Sequence, residues 1–443
     1  MYLRKLERKV SLCLATVGAL FTVAPSLHAQ TYDLLLKHGH VVDAKNHISS
    51  TMDVAVKDGK IAKVAANISP AEAVKTIDAS DLYVTPGLID IHVHVFAGTG
   101  ERGSYAGDLS VYPDGFTFRN GVTTVVDAGC SGWRNFEDFK DKIIDRSQTR
   151  VLALLNIVGS GMRGPKYEQN LADMQAEPTA AMARKYPEIV VGIKSAHFEG
   201  PEWTPYLQAV KAGTLANIPV MIDYGANRPE RPLYQLLTRV LRPGDIYTHM
   251  YSGLRGEQDK TTLGPSKALI EGRKRGIYFD VGHGGGSFDW RVAVPLTKAG
   301  FLPDSISTDL HVGSMNAGMK DMLNVSDKML ALGMPLDQVI AADTWHPARE
   351  IKREELGNLS VGAPADIAVL RVVHGHFGFV DMFDTKLMGT EKLICEMTIR
   401  NGKVVYDLNG MSSPLWTEAP TNAVRQAERW TRFKQVSPAA ATH

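Results

Sequence analysis

GLIDIHVH at residues 87–94 is the first of eight short runs that decide the fold. The others are VTTVVDAG (122–129), RVLALLNIVG (150–159), IVVGIKSA (189–196), IPVMIDYG (218–225), DIYTHMYS (245–252), GIYFDVGH (276–283) and SISTDLHV (305–312). Each is apolar and most are rich in β-branched residues, with helical stretches between, as in parallel strands buried on both faces. Their polar markers, His92, Asp127, Asn156, Lys194, Asp223, His249, Asp280 and Asp309, recur every 26 to 38 residues. That cadence fits the units of about 30 residues that build a (β/α)8 TIM barrel. A polar residue near almost every strand end favours closure over an open doubly wound sheet.

Outward from the barrel, both flanks read as β structure. YDLLLKHGHVVD (32–43), DVAVKDGKIAKVA (53–65) and TIDASDLYVT (76–85) alternate or run apolar between turn residues, as strands do. ADIAVLRVV (365–373) and EMTIRNGKVVYDLNG (396–410) repeat the pattern near the other end, with Asn401-Gly402 as a hairpin turn. Neither set alone buries a convincing core, so strands from both ends are expected in one small β-sandwich. The α/β chain divides into a signal peptide (1–29), the first part of the sandwich (30–85), a hydrolase barrel (86–349), the second part of the sandwich (350–410) and a tail (411–443). One short helix, TNAVRQAERWTRF, is expected in the tail.

The head has basic residues Arg4, Lys5, Arg8 and Lys9, an apolar stretch from Val10 to Val23, and Ala29 before Gln30. The stretch is shorter than the roughly 20 residues of a spanning helix, so it reads as a cleaved export signal rather than an anchor. A secreted or periplasmic protein follows, with no membrane association after cleavage. The whole chain has net charge +1, and without its head −2, with no basic cluster to bind nucleic acid. Only Cys130 and Cys395 remain after cleavage, in different predicted domains, so stability is expected from the core and not from disulfides.

His92 and His94 are two apart on a strand, so both rings face the barrel mouth and can share one metal ion. Lys194 ends a strand that the barrel buries, where an unpaired ammonium is expensive. It either reaches solvent or a carboxylate, or stays a neutral amine that reacts with carbon dioxide to give a metal-bridging carbamate. Asp309 at the eighth strand end can ligate a metal and hold a proton from water, or simply cap a helix. His249 occupies the corresponding end of the sixth strand, where a lone histidine is also a common core residue.

These residues together resemble the amidohydrolase superfamily. YVTPGLIDIHVH enters the barrel, Lys194, His249 and Asp309 stand on strands four, six and eight, and LGNLSVGAPADIAVL (356–370) returns to the β unit. GIYFDVGHGGGSF, SISTDLH and SMNAGMKDM look like its dihydroorotase-like amidohydrolase/deacetylase branch. The resemblance implies a metal-dependent barrel beside a small β-sandwich. It implies two divalent ions, zinc or another metal: His92, His94 and Asp309 hold the more buried one, carbamylated Lys194 bridges, and a strand-five residue with His249 holds the second. That residue, usually histidine, is here Asp223, whose oxygen donor favours harder ions.

The activity implied is hydrolysis of an amide or ester bond of a small molecule, an acylated amino or hydroxy acid, by metal-activated hydroxide. Asp309 is the catalytic proton carrier. Arg163, Arg228 and Arg255 follow strands three, five and six and are candidates to clamp a substrate carboxylate. His283 is a candidate replacement ligand or substrate contact. A cyclic-amide hydrolase of the dihydroorotase or dihydropyrimidinase type is the alternative enzyme, and a noncatalytic binding protein on the same fold the alternative class. Homo-oligomerisation is compatible with either.

Overall fold

A computed structural model of the chain describes residues 30–418. The expected signal peptide and most of the tail, including its expected helix, lie outside the described residues. The architecture is α/β, with a seven-stranded parallel sheet and a separate eight-stranded sheet.

The eight-stranded sheet takes β1 (Tyr32–Asp43), β2 (Ile48–Lys57), β3 (Lys60–Ala65), β4 (Ala73–Asp78) and β5 (Tyr83–Pro86) from the first flank. From the second come β13 (Ile367–Val380), β14 (Lys386–Arg400) and β15 (Lys403–Asp407). Strand β5 joins the two, pairing with β1 on one side and β13 on the other. One edge of β1 carries β4 along its first half and β5 along its second, and the register breaks between Leu36 and Gly39. A Cβ on Gly39 would lie 2.4 Å from the Val84 side chain, so the close approach of β5 requires glycine there. Leu34, Leu36, Val41, Val84, Ile367 and Met397 share one buried cluster, so residues from both flanks fill a common core. Asn401 and Gly402 both have positive φ between β14 and β15, the conformation that a two-residue hairpin turn demands.

The parallel sheet runs β6 (Leu88–Val93), β7 (Val122–Gly132), β8 (Arg150–Asn156), β9 (Val190–Ser195), β10 (Val220–Ile222), β11 (Ile246–Tyr247) and β12 (Tyr278–Phe279), in sequence order. Helices such as Ala176–Lys185, Thr204–Ala216, Lys267–Lys274 and Trp290–Lys298 alternate with them. Both faces are buried: Val125, Leu155, Ile193 and Ile222 belong to the larger core, whereas Val126, Leu152, Val191 and Met221 pack with Ala348 and Ile351.

The eighth run is not a regular strand, although Asp280 bridges in parallel to Ser305 and Val93 to Leu310, one contact to each edge of the seven-stranded sheet. The later runs are shorter as strands than the sequence suggests because the backbone turns where the polar side chains emerge. His249 has φ 64° and Asp309 φ 51°, values a β ladder does not accommodate.

Candidate active site

The strand ends converge on one buried cluster. His92 and His94 leave β6, Lys194 leaves β9, Asp223 follows β10, His249 follows β11, and Asp309 lies in the eighth run. Nε2 of His94 is 2.9 Å from Oδ1 of Asp309, and Nε2 of His92 is 3.7 Å from the same oxygen. Nζ of Lys194 is 3.0 Å from Nε2 of His92. Ligand atoms of His92, His249 and Asp309 all lie within 4.8 Å of one another, close enough to share an ion.

Hydrogen bonds from behind aim these rings. Thr248 donates its hydroxyl proton to Asp280 at 2.6 Å, so its oxygen accepts from Nδ1 of His92 at 3.0 Å. Nδ1 of His249 donates to the Gly282 carbonyl at 2.5 Å. Each imidazole thus carries its proton on Nδ1 and turns the Nε2 lone pair to the centre, the tautomer a metal ligand needs. Asp280 is further held by the hydroxyls of Ser305 and Ser307, and Asp90 accepts from the Thr308 hydroxyl and amide. Behind His94, Nδ1 meets Sγ of Cys130 at 3.1 Å, and His94, Asp127 and Cys130 form a second group close enough for an ion. Cys130 and Cys395 are both free.

Charge follows burial and neighbours. Burial, with Lys194 adding to it, pushes His92 down to about 3. Burial also lowers Lys194 against the pull of Asp223 and Asp309, which favours the neutral amine. For Asp309 burial works the other way, but His92 and His94 outweigh it and hold the carboxyl far below its ordinary value. Asp223 is likewise held low against burial, first by Arg255 and then by His249 and His197. Lone-pair nitrogens, ionised carboxylates and a neutral amine form a donor set that suits a divalent cation.

The second half of the cluster differs from expectation. Oδ1 of Asp223 accepts from Nη2 of Arg255 at 2.8 Å, and Arg255 is buried beneath it, bonded also to the Gly225 carbonyl and the Ser252 hydroxyl. Arg255 is therefore not a rim residue open to a substrate carboxylate. His283 is not a spare ligand either. Its Nε2 meets Lys328 at 2.6 Å, its Nδ1 meets the Gly284 carbonyl at 2.8 Å, and its ring stacks on Phe288. Its neighbour Gly284 does abut the site, for a Cβ there would fall 2.4 Å from Oδ2 of Asp309. Arg163 is half-buried and paired with Glu101, and exposed Arg228 bonds the Glu199 carbonyl.

Two site residues carry no recognisable motif in the sequence. His197, two residues beyond β9, sets Nε2 at 3.4 Å from Oδ2 of Asp223 and Nδ1 at 2.6 Å from Glu168. The Tyr105 ring lies 4.3 Å from that of His94 and 5.6 Å from that of His197. Beside them opens a cleft of ≈ 500 Å³ bordered by Tyr105, Glu168, Gln169, His197 and Glu199.

Fold and cluster define a class, and comparison with known proteins agrees with it: the chain belongs to the amidohydrolase family and is a hydrolase of carbon–nitrogen bonds. The family's model, described as the amidohydrolase family, matches residues 289–405. The chain is 33% identical over 341 residues to a deacetylase of Brucella anthropi, covering 74% of this chain and 81% of that one. It is 30% identical over 384 residues to a deacetylase of Enterococcus faecalis, covering 85% and 99%. Among solved structures, that of an adenine deaminase superposes with a TM-score of 0.77 at 30% identity, covering 85% and 100%. That of a dihydroorotase gives 0.73 at 28%, covering 84% and 99%.

Proposed function

We propose that the protein is an exported, two-metal deacylase that hydrolyses the amide or ester bond of an acylated amino or hydroxy acid. The observation that carries this reading is the convergence of His92, His94, Lys194, His249 and Asp309 in a chain alike over most of its length to two deacetylases. The frame is a (β/α)8 barrel in which the 305–310 segment bridges to both edges of the parallel sheet. The domain limits are those of the sequence reading, and Lys194 carries a carbamate formed from carbon dioxide. His92, His94 and Asp309 hold one divalent ion, zinc or a harder metal, and Asp223 and His249 contribute to the second.

When bound, such ions polarise the scissile carbonyl and make water a nucleophile near neutral pH. Asp309 takes the proton of the attacking water and returns it to the leaving nitrogen or oxygen. Its anchorage on His94 fixes one carboxylate oxygen, and Gly284 leaves room beside the other. Tyr105 covers His94 and excludes bulk water from that side. The substrate enters through the cleft beside Glu168 and His197.

A panel of N-acyl and O-acyl acids set against cyclic ureides, with chelator-treated enzyme as control, tests the reading. Turnover of acyl acids that is lost on chelation is expected. Turnover of cyclic ureides alone would assign a dihydroorotase-like activity instead. Export is tested by mass spectrometry of the protein recovered outside the cytoplasm, with cleavage after Ala29 expected. An intact Met1 terminus would refute it.

A further inference from the structure

Asp223 stands where a histidine is usual, and the structure offers a replacement imidazole that strand five does not. We propose that His197 supplies it, so that His197, Asp223 and His249 hold the second cation while Arg255 grips the outer oxygen of Asp223. The inference rests on the two-metal reading above.

One oxygen of Asp223 lies between two imidazoles. Oδ2 of Asp223 is 3.4 Å from Nε2 of His197 and 3.4 Å from Nε2 of His249. The other nitrogen of each ring faces a group that can only accept. Nδ1 of His197 lies 2.6 Å from Oε2 of Glu168, and Nδ1 of His249 lies 2.5 Å from the Gly282 carbonyl. Both rings can keep a proton on Nδ1 for these acceptors and turn Nε2 to the same carboxylate oxygen, where a cation would take the place of any proton on Nε2. Donor groups gathered round one carboxylate oxygen suit a cation among them, and a carboxylate behind the imidazole is a recurring support for a metal-bound histidine.

Arg255 completes the logic. By occupying Oδ1 of Asp223 at 2.8 Å it leaves Oδ2 as the single inward donor, and it offsets the negative charge that an aspartate adds relative to histidine. Glu168 is buried, and its second oxygen is held by the Gly164 amide at 3.1 Å, so the support is itself fixed. His197 also has φ 57°, in the same left-handed region as His249 and Asp309. A β-substituted residue holds that conformation at a cost, which is tolerated where the side chain must be aimed.

Metal-free protein loaded with Co(II) or Zn(II) is the direct test, read as ions per chain and as the Co(II) absorption spectrum. The wild type should bind two equivalents. His197→Ala should keep the first and lose the second, or bind it at least tenfold more weakly, and added imidazole should restore it. Glu168→Gln should weaken the second equivalent about 10- to 100-fold without removing it. Circular dichroism confirms that the variants fold; Glu168→Gln, which keeps the side-chain shape, carries the test if His197→Ala does not. Two equivalents of unchanged affinity in His197→Ala, or in Glu168→Gln when only that variant folds, would overturn the proposal and leave His197 as a charged bridge between Glu168 and Asp223. A wild type that binds one ion, undisturbed by His197→Ala, would overturn the two-metal reading together with it.

Discussion

Nζ of Lys194 stands 3.0 Å from Nε2 of His92, with both side chains buried and no carboxylate among the hydrogen-bond partners of Lys194. An ammonium so placed, with Met221 sulfur as its other contact, is poorly compensated, and the amine is driven toward its neutral form. A neutral amine is the form that captures carbon dioxide.

Lys194→Ala should therefore abolish most bound metal and activity while the chain stays folded. Metal analysis of the purified variant checks it, and short carboxylic acids added to the variant should restore part of the binding. Wild-type metal content and turnover in Lys194→Ala would make the lysine purely structural.

Asp309→Asn should lower kcat by about 10²- to 10⁴-fold, the range over which positioned proton transfer contributes. The amide can still contact His94 but neither holds a charge nor shuttles a proton. Steady-state kinetics with matched thermal unfolding separates this from misfolding. A rise in KM with kcat retained would contradict the role.

Much of this was legible in the sequence because strand ends announce themselves. His92 and His94 alternate along β6, and Lys194, His249 and Asp309 each follow an apolar run, so periodicity places them at one mouth. His197 was not legible: it sits in irregular chain three residues past Lys194, where periodicity says nothing about direction. Nor was the partner of Asp223. Arg255 is 32 residues away and looks like an ordinary loop charge until the loop folds back under Asp223. His283 misled for the reverse reason, since its glycine-flanked position resembles a site loop while its ring is claimed by Lys328 on the helix Met322–Ala331.

That helix holds a second buried titratable group away from the active site. Oδ1 of Asp327 accepts from the Leu393 amide at 2.8 Å, but Oδ2 is buried without a hydrogen-bond partner, and burial lifts the carboxyl to about 8. Between its ordinary value of 3.8 and about 8 the folded chain keeps a proton that the unfolded chain has released. Stability contributed by this group is thus full at low pH and falls as pH rises through that window. Asp327→Asn removes the titration, so its Tm relative to wild type should climb between pH 5 and pH 8. A Tm difference constant across that range would show that Asp327 does not titrate in the fold.

Asp223 and Arg255 should behave as a coupled pair when the metal is stripped away. Arg255 spends its buried guanidinium on Asp223, Ser252 and the partly exposed Gly225 carbonyl, so either charged partner alone is a buried charge without its counterpart. Removing one partner of a buried ion pair costs about 3–5 kcal/mol, far more than an exposed pair is worth. Arg255→Met and Asp223→Asn should each lower the urea midpoint of the metal-free protein. The double variant should be less destabilised than the sum by about 0.5–3 kcal/mol, the range seen for residues in contact. Asp223→His, although it restores the more usual ligand, should likewise destabilise the chain unless Arg255 is replaced with it, because the new imidazole leaves the guanidinium without a carboxylate. Additive effects in the cycle, or an Asp223→His variant as stable as wild type, would mean that Arg255 is adequately held by Gly225 and Ser252 and that Asp223 is free to be exchanged.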